Sequence, residues 1–431
     1  MSSTLSAGLL TGILLLAVSP LCSAVSDPLR EAAAGGDAGS AFRLGMEYYA
    51  GSAGRTRNPE VAVYWFRKAA DGGNIPASYN LGVCLEHGIG IEKSRIAAYH
   101  AYRKAADAGL VQAQLRCAEI LRKGLPEEHT ADRAIPGLNA APLQAMELFR
   151  KLAQQNVPTA QRSLAEMLLA IPSAQRSPDA DTEILRNLQA ASAAGDKVAK
   201  RLLAACYRDG AGVSADPEKS AGLLQEAADA GDAEAMNELA HLLEYGIGIA
   251  PDEEKAFQYF RKAADAGIIQ AQTRLGDFYR SGKVVRQDVV KAASLYRSAA
   301  EKKDPAGMYR MARCLLDGIG TARDQQKGLS LLQEAANADD ARAQYDLAEI
   351  YRQGHLLVKD PGAAAYWFAR AARNRHAGAM REYGKCLLHG LGAAKDEQRG
   401  RAWIIQAAKA GDPEARRIAR SGEIPPPENL N

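Results

Sequence analysis

The sequence predicts an all-α fold, an α-solenoid superhelix of about ten helix-hairpin repeats with a period of 36 residues. Three observations predict it. One small residue recurs at Ala77, Ala113, Ala160, Ala199, Ala235, Ala271, Gly307, Ala343, Ala379 and Ala415, and every step from Ala199 onward is 36 residues. The same local order follows each anchor, as in Ala235 to Gly246 against Ala343 to Gly354. A glycine then falls eleven residues after nearly every anchor: Gly88, Gly124, Gly210, Gly246, Gly282, Gly318, Gly354 and Gly390. A closed globule has no reason to repeat itself at this interval; a stack of identical supersecondary units does.

The first helix of each unit carries the anchor. Four residues on stand Leu81, Leu164, Leu239, Leu275 and Leu347, and eight on stand Leu85, Leu121, Leu243 and Leu315. Between them, at position +5, only Gly or Ala is found: Gly82, Ala118, Ala165, Ala204, Ala240, Gly276, Ala312, Ala348 and Gly384. These positions share one helical face, and the small residue lets a second helix approach closely. Glycine at +11 ends the helix because it tolerates the left-handed conformation. The second helix opens on a polar cap followed by proline in Asn58-Pro59, Asp216-Pro217 and Asp360-Pro361. It continues as an Ala-rich run such as Ala256 to Ala264, and caps such as Asp304-Pro305 and Asp412-Pro413 launch the next unit. Two units depart. The third has an insertion at 125–141, and the fourth has Ile171-Pro172-Ser173-Ala174 where the glycine turn is expected.

The N-terminus reads differently. Met1 to Ala24 contains no Asp, Glu, Lys or Arg, and Leu9 to Val18 is strongly apolar, with Pro20 and Ser23-Ala24 following. That pattern predicts a cleaved signal peptide over 1–24, hence an exported protein, periplasmic or secreted. A spanning helix needs about 20 apolar residues, so no stable membrane span is expected after cleavage. Net charge is +3 with acids and bases interspersed, which provides no basic field for nucleic acid.

Leu-Gly followed by Tyr and Gly-x-Gly, then Ala-x-x-Tyr-Phe-Arg-Lys-Ala-Ala-Asp-Ala-Gly, resembles the Sel1-like repeat, a relative of the tetratricopeptide repeat. Ala77 to Gly109 and Ala235 to Gly267 carry the resemblance most fully. The expected organisation is a capping helix within 25–39, a Sel1-like repeat solenoid over 40–421, and a disordered Pro-rich tail over 422–431. The resemblance implies a scaffold that binds a protein or peptide in a concave groove lined by the first helices. Positions +2, +6 and +9 vary between units and fall on that stripe, so the candidate partner-binding residues are Tyr79, Arg208, Arg280, Tyr309, Arg313, Tyr345, Arg352 and Arg381. Tyr and Arg dominate binding energy at interfaces. Phe42, Met46, Tyr49, Tyr79 and Val83 make the N-terminal end of the stripe apolar.

No catalytic constellation is readable, and no catalytic residue, cofactor site or metal site is assigned: the chain has no His-Glu-x-x-His, Cys-x-x-Cys or glycine-rich phosphate loop. Glu127-Glu128-His129 reads as a solvated loop. Cys84, Cys206, Cys314 and Cys386 all stand at +7, in a column otherwise filled by residues such as Ile120, Leu242 and Ile350, so they read as buried hydrophobes. Cysteine-rich relatives of this family are stapled by a disulfide within each repeat and are associated with cell-wall fragments or β-lactams, as weak hydrolases. That is the alternative function, and no repeat here has the required pair; Cys84 with Cys117 is the one combination to test.

Overall fold

The computed structural model describes residues 27–124, 141–177 and 179–421. The predicted signal, the Glu127-Glu128-His129 loop and the predicted tail lie outside these residues. Among the described residues the chain is built of α-helices, with no strand. It divides into two compact units, the second comprising Tyr207–Gly210 and Ser214 onward. The first unit holds α1 (Pro28–Ala34), α2 (Ala38–Ala50), α3 (Pro59–Asp71), α4 (Ile75–His87), α5 (Arg95–Asp107), α6 (Val111–Lys123), α7 (Ala141–Gln154), α8 (Pro158–Leu169) and α9 (Ala180–Ala193). Helix α10 (Lys197–Asp209) spans the division. The second unit holds α11 (Pro217–Asp229), α12 (Ala233–Tyr245), α13 (Glu253–Asp265), α14 (Ile269–Ser281), α15 (Val289–Glu301), α16 (Pro305–Asp317), α17 (Gln325–Asn337), α18 (Ala341–Gln353), α19 (Pro361–Arg373), α20 (Ala377–His389), α21 (Glu397–Lys409) and α22 (Pro413–Ser421). Within the span 25–39 expected to hold a capping helix lie α1 and the start of α2 at Ala38.

Most of the helices start where a side chain satisfies an orphan backbone amide; the residues before α6, α8, α9 and α14 (Leu110, Val157, Asp179 and Ile268) make no such bond. Asn58, Asp216, Asp252, Asp288, Asp324, Asp360 and Asp396 cap the second helices, each accepting from the amide three residues on. The first helices stop at glycines in the left-handed region, among them Gly88, Gly246, Gly318 and Gly390. In the Gly-x-Gly loops the second glycine has a further reason. Gly248, Gly320 and Gly392 press against the carbonyls of Pro217, Val289 and Pro361, the first residues of the preceding second helices, and have positive φ as well. A Cβ would collide with backbone there, so glycine is required on both counts.

The hairpins are locked by one large side chain from the second helix. Phe66, Tyr102, Phe149 and Leu188 in the first unit, and Leu224, Phe260, Tyr296, Leu332, Phe368 and Ile404 in the second, hold the equivalent place in each hairpin, none more than 3% exposed. Across from it stand the small residues of position +5. A Cβ on Gly45, Gly82 or Gly276 would come within 2.7, 2.6 and 2.5 Å of the rings of Phe66, Tyr102 and Tyr296. Each such side chain contributes roughly 1.5–3 kcal/mol by leaving water, and the helix approach that buries it depends on the missing methyl opposite. Both tyrosine hydroxyls are satisfied: Tyr102 Oη donates to Glu86 Oε2 at 2.8 Å and Tyr296 Oη to Asp277 Oδ1 at 2.7 Å.

The two divergent repeats keep this packing. Helices α6 and α7 contact one another despite the intervening insertion, as do α8 and α9. Where the glycine turn is missing, a 3-10 turn at Ser173–Gln175 intervenes, and Arg176 ties the bend by donating to the Ile171 carbonyl at 2.9 Å and to Asp181 at 2.6 Å.

Gly276→Ala therefore forces the Tyr296 ring off a position that its hydroxyl fixes, and is expected to cost about 1–3 kcal/mol by overpacking. Adding Tyr296→Phe, which recreates the Ala240–Phe260 pair of the preceding hairpin, frees the ring to shift. It should recover most of the loss in urea unfolding; additive losses would mean that the two residues do not share a contact.

Candidate functional site

The first helices carry charge in a register that joins one repeat to the next. Glu86 of α4 accepts from Arg116 of α6 at 2.6 Å, Arg208 of α10 donates to Glu238 of α12 at 3.0 Å, and Glu244 of α12 pairs with Arg274 of α14. Each couple lies 30 residues apart, which is position +9 of one unit against +3 of the next. A second register, +6 against +3, lies 33 residues apart: Arg310 pairs with Asp277 and Arg313 with Asp346. Tyr309 joins the same face, with the Arg342 guanidinium 4.8 Å above its ring.

In the second unit this face opens into a recess of about 170 Å³. Its apolar lining comes from Tyr345, Pro361, Ala364, Phe368, Cys386 and Leu391, and its charged lining from Glu349, Arg352, Arg381, Glu382, Lys385 and Glu414. Helices α18, α20 and α22 supply the charges. Arg381 donates to Glu382 Oε1 at 2.9 Å and to both Asp412 oxygens at 2.8 and 3.0 Å; Lys385 bridges Glu382 and Glu414 at 3.2 and 2.8 Å. Asp412 is also the cap of α22, accepting from the Ala415 amide at 2.7 Å. On the opposite wall Arg352 pairs with Glu349 of its own helix at 2.6 Å. Tyr345 lies between them, its ring 5.6 Å from Phe368 and 4.5 Å from His376. Burial, reinforced by Glu349 and Glu382, pushes the Tyr345 hydroxyl up to about 12, so it stays a neutral donor.

Of the eight residues predicted from the sequence, Tyr79 lies in the first unit and the other seven in the second. Tyr345, Arg352 and Arg381 meet in the recess. Arg208, Arg280 and Arg313 are exposed along the same row of helices. Tyr79 and Tyr309 are instead buried, 7% and 9% exposed, because each ring lies against a second helix or a neighbouring arginine. Phe42, Met46, Tyr49 and Val83 are likewise core and not groove. Sequence reasoning overlooked the +3 row, from Arg116 to Glu382, that answers the charges at +6 and +9. Its signal was opposite charge at separations of 30 and 33, where helix-local pairing looks only three or four residues away.

The five described cysteines are buried, and Cys84 and Cys117 are free thiols. Burial pushes Cys84, Cys117 and Cys386 up to about 12. Thiols held protonated in this way are packing residues without nucleophilic character. Among the described residues no group of three or more His, Cys, Asp or Glu is placed to hold a metal ion, and no helix is long and apolar enough to cross a membrane.

The Sel1 repeat model matches the chain at residues 38–74, 75–110, 136–157, 198–232, 233–268, 269–304, 305–340, 341–376 and 377–412. The chain belongs to the Sel1 repeat family. Two internal stretches are left unmatched, 111–135 with α6 and 158–197 with α8 and α9 of the divergent fourth repeat, whose Leu188 nevertheless is fully buried. Among solved structures the chain is similar to c5321, a protective antigen of uropathogenic Escherichia coli with the Sel1-like repeat fold, at 25% identity and a TM-score of 0.60 over 93% of this chain and 91% of that one. A Sel1 repeat protein of Oxalobacter formigenes is 24% identical, with a TM-score of 0.46 and the same coverage. No curated protein matches.

The two sides of the recess differ in what their arginines support. Arg381 and Asp412 are 15% and 7% exposed, so Arg381→Ala strands a buried carboxylate and should cost about 3 kcal/mol, visible as faster hydrogen exchange in α21 and α22. Arg352→Ala, at 36% exposure, should cost less than about 1 kcal/mol and leave that exchange unchanged. Equal effects would refute the asymmetry.

Proposed function

We propose that the protein is an exported Sel1 repeat scaffold whose first-helix face in the second unit is a concave groove for a protein or peptide segment, with no catalysis of its own. The observation that carries the reading is the recess at Tyr345: apolar floor, charged rim, and side chains held in place by pairs that also stitch neighbouring repeats together. Preorganised charge of both signs around an aromatic anchor suits a polypeptide carrying an apolar side chain flanked by charged ones. Arg208, Arg280, Arg313, Arg352 and Arg381 extend the contact along the row, with Tyr309 buried beneath it; Tyr79, in the first unit, lies outside this groove. Export rests on the apolar, uncharged segment at 1–24 and is in keeping with a relative that is a protective antigen.

Proximity labelling of the exported protein would identify the partner, and a purified segment of it would then be titrated against variants. Tyr345→Ala, Arg313→Glu and Arg352→Glu together are expected to weaken binding at least about tenfold, the equivalent of about 1.4 kcal/mol, in a variant that remains folded. Unchanged affinity would place the site elsewhere, and saturable or covalent labelling by a β-lactam would move the protein to the alternative class. Sequencing the mature N-terminus tests export separately: a start near Val25 is expected, and a start at Met1 would contradict cleavage.

A further inference from the structure

The N-cap of α20 is chemically unlike its counterparts. Asp196, Asp232, Asp304, Asp340 and Asp412 occupy the same place in other first helices, each offering a carboxylate oxygen to the amide three residues on. In α20 the cap is His376, whose Nδ1 accepts from the Ala379 amide at 3.1 Å. Ala379 is the anchor of its repeat and is fully buried. The opposite face of the ring is engaged too, stacked on Tyr345 at 4.5 Å with 26° between planes, and Tyr345 lines the recess. One imidazole thus closes the first turn of α20 and steadies a wall of the recess.

An aspartate cap carries a negative charge that suits a helix N-terminus and stays ionised across the physiological range. A histidine cap works only through the lone pair of a neutral ring. A proton on Nδ1 turns the acceptor into a donor facing another donor, and puts positive charge against the positive end of the helix. The groups around the ring decide where it goes next. From α18 Asp340 and Asp346 attract an imidazolium and Arg342 repels it; from α20 Arg381 repels it. The α18 carboxylates therefore offer a protonated ring somewhere to turn that is away from the Ala379 amide.

We propose that His376 is a proton-operated cap: neutral, it closes the N-terminal turn of α20 and holds the face of Tyr345, and protonated, it swings toward Asp340 and Asp346 and releases both. The device works through the fold and stands whether or not the recess binds a peptide. Burial pushes the ring below the ordinary imidazole value of 6.5; Asp346 and Asp340 push it back in part, and Arg342 and Arg381 push it down. A folded-state value below the unfolded one means that the cap's contribution is complete above 6.5 and is lost as pH falls through the folded value.

The test is a nuclear magnetic resonance titration of the full chain from about pH 8 to about pH 5, the range of the imidazole, following the His376 ring and the Ala379 amide. The comparison variant is His376→Asn, which keeps a neutral acceptor of the kind that Asn74 supplies to the Ala77 amide at 2.9 Å. In the parent the amide should shift with the same midpoint as the ring, below 6.5. Its exchange rate, corrected for intrinsic chemistry, should rise about tenfold for each pKa unit by which the fold depresses the ring. In His376→Asn neither change should occur. An Ala379 amide indifferent to the ring's titration, or an Asn variant that responds as the parent does, would overturn the proposal.

Discussion

The constraint on which the rest of the structure depends is steric. In each hairpin one large side chain of the second helix needs the space left by a glycine or alanine at position +5 of the first. Tyr102 and Tyr296 need the most, because each ring reaches past the first helix to place its hydroxyl on Glu86 or Asp277, and glycine stands opposite both. Leu224 and Leu332 need less and face Ala204 and Ala312. The packing of a close-fitted interior tolerates neither the extra methyl nor the void, so glycine is required at Gly45, Gly82, Gly276 and Gly384, where an added Cβ would come within 2.8 Å of Phe66, Tyr102, Tyr296 and Ile404.

From that fit the site follows. With the hairpin locked, the outer flank of every first helix is held at a fixed distance from the next, and side chains at +9, +6 and +3 of adjacent units come within reach of each other. The resulting pairs are more than solvated surface charge. Arg381 is tied to Glu382, Asp412 and Glu414 at once, and Asp412 in turn caps the following helix, so packing, charge and helix termination share one group. The same links fix the arginines of the face in place, which under the proposed function would lower the ordering cost of binding. Cys84, Cys117 and Cys386 lie in the core with their thiols pushed up to about 12 by burial, and Glu349, Glu382 and Glu414 at the recess are each paired with a cation.

Periodicity made the helices, their caps and the +5 column readable from the residues, since all of these depend on residues close in the chain. The buried column of the second helix was less visible, because Phe, Tyr, Leu and Ile alternate there and only its 36-residue spacing gives it away. The site was harder. A variable position was read as exposed, yet Tyr79 and Tyr309 vary and are buried, since a ring large enough to reach the second helix or the next arginine covers itself. The charge pairs were missed because their partners sit one repeat away. His376 was invisible as a cap: the period places it in a column that holds aspartate in several units but Asn74, Leu110, Val157 and Ile268 in others, and only the geometry shows that a ring nitrogen has taken over the carboxylate's bond.

The most direct measurement is native-state hydrogen exchange along the whole chain. If the small-against-large fit holds each hairpin, the slowest amides of every repeat should flank position +5 and its opposing residue, as around Ala240 with Phe260 and Gly276 with Tyr296, and protection should fall away toward the loops. Protection concentrated instead at the cysteine column, or spread evenly over both helices, would contradict the account.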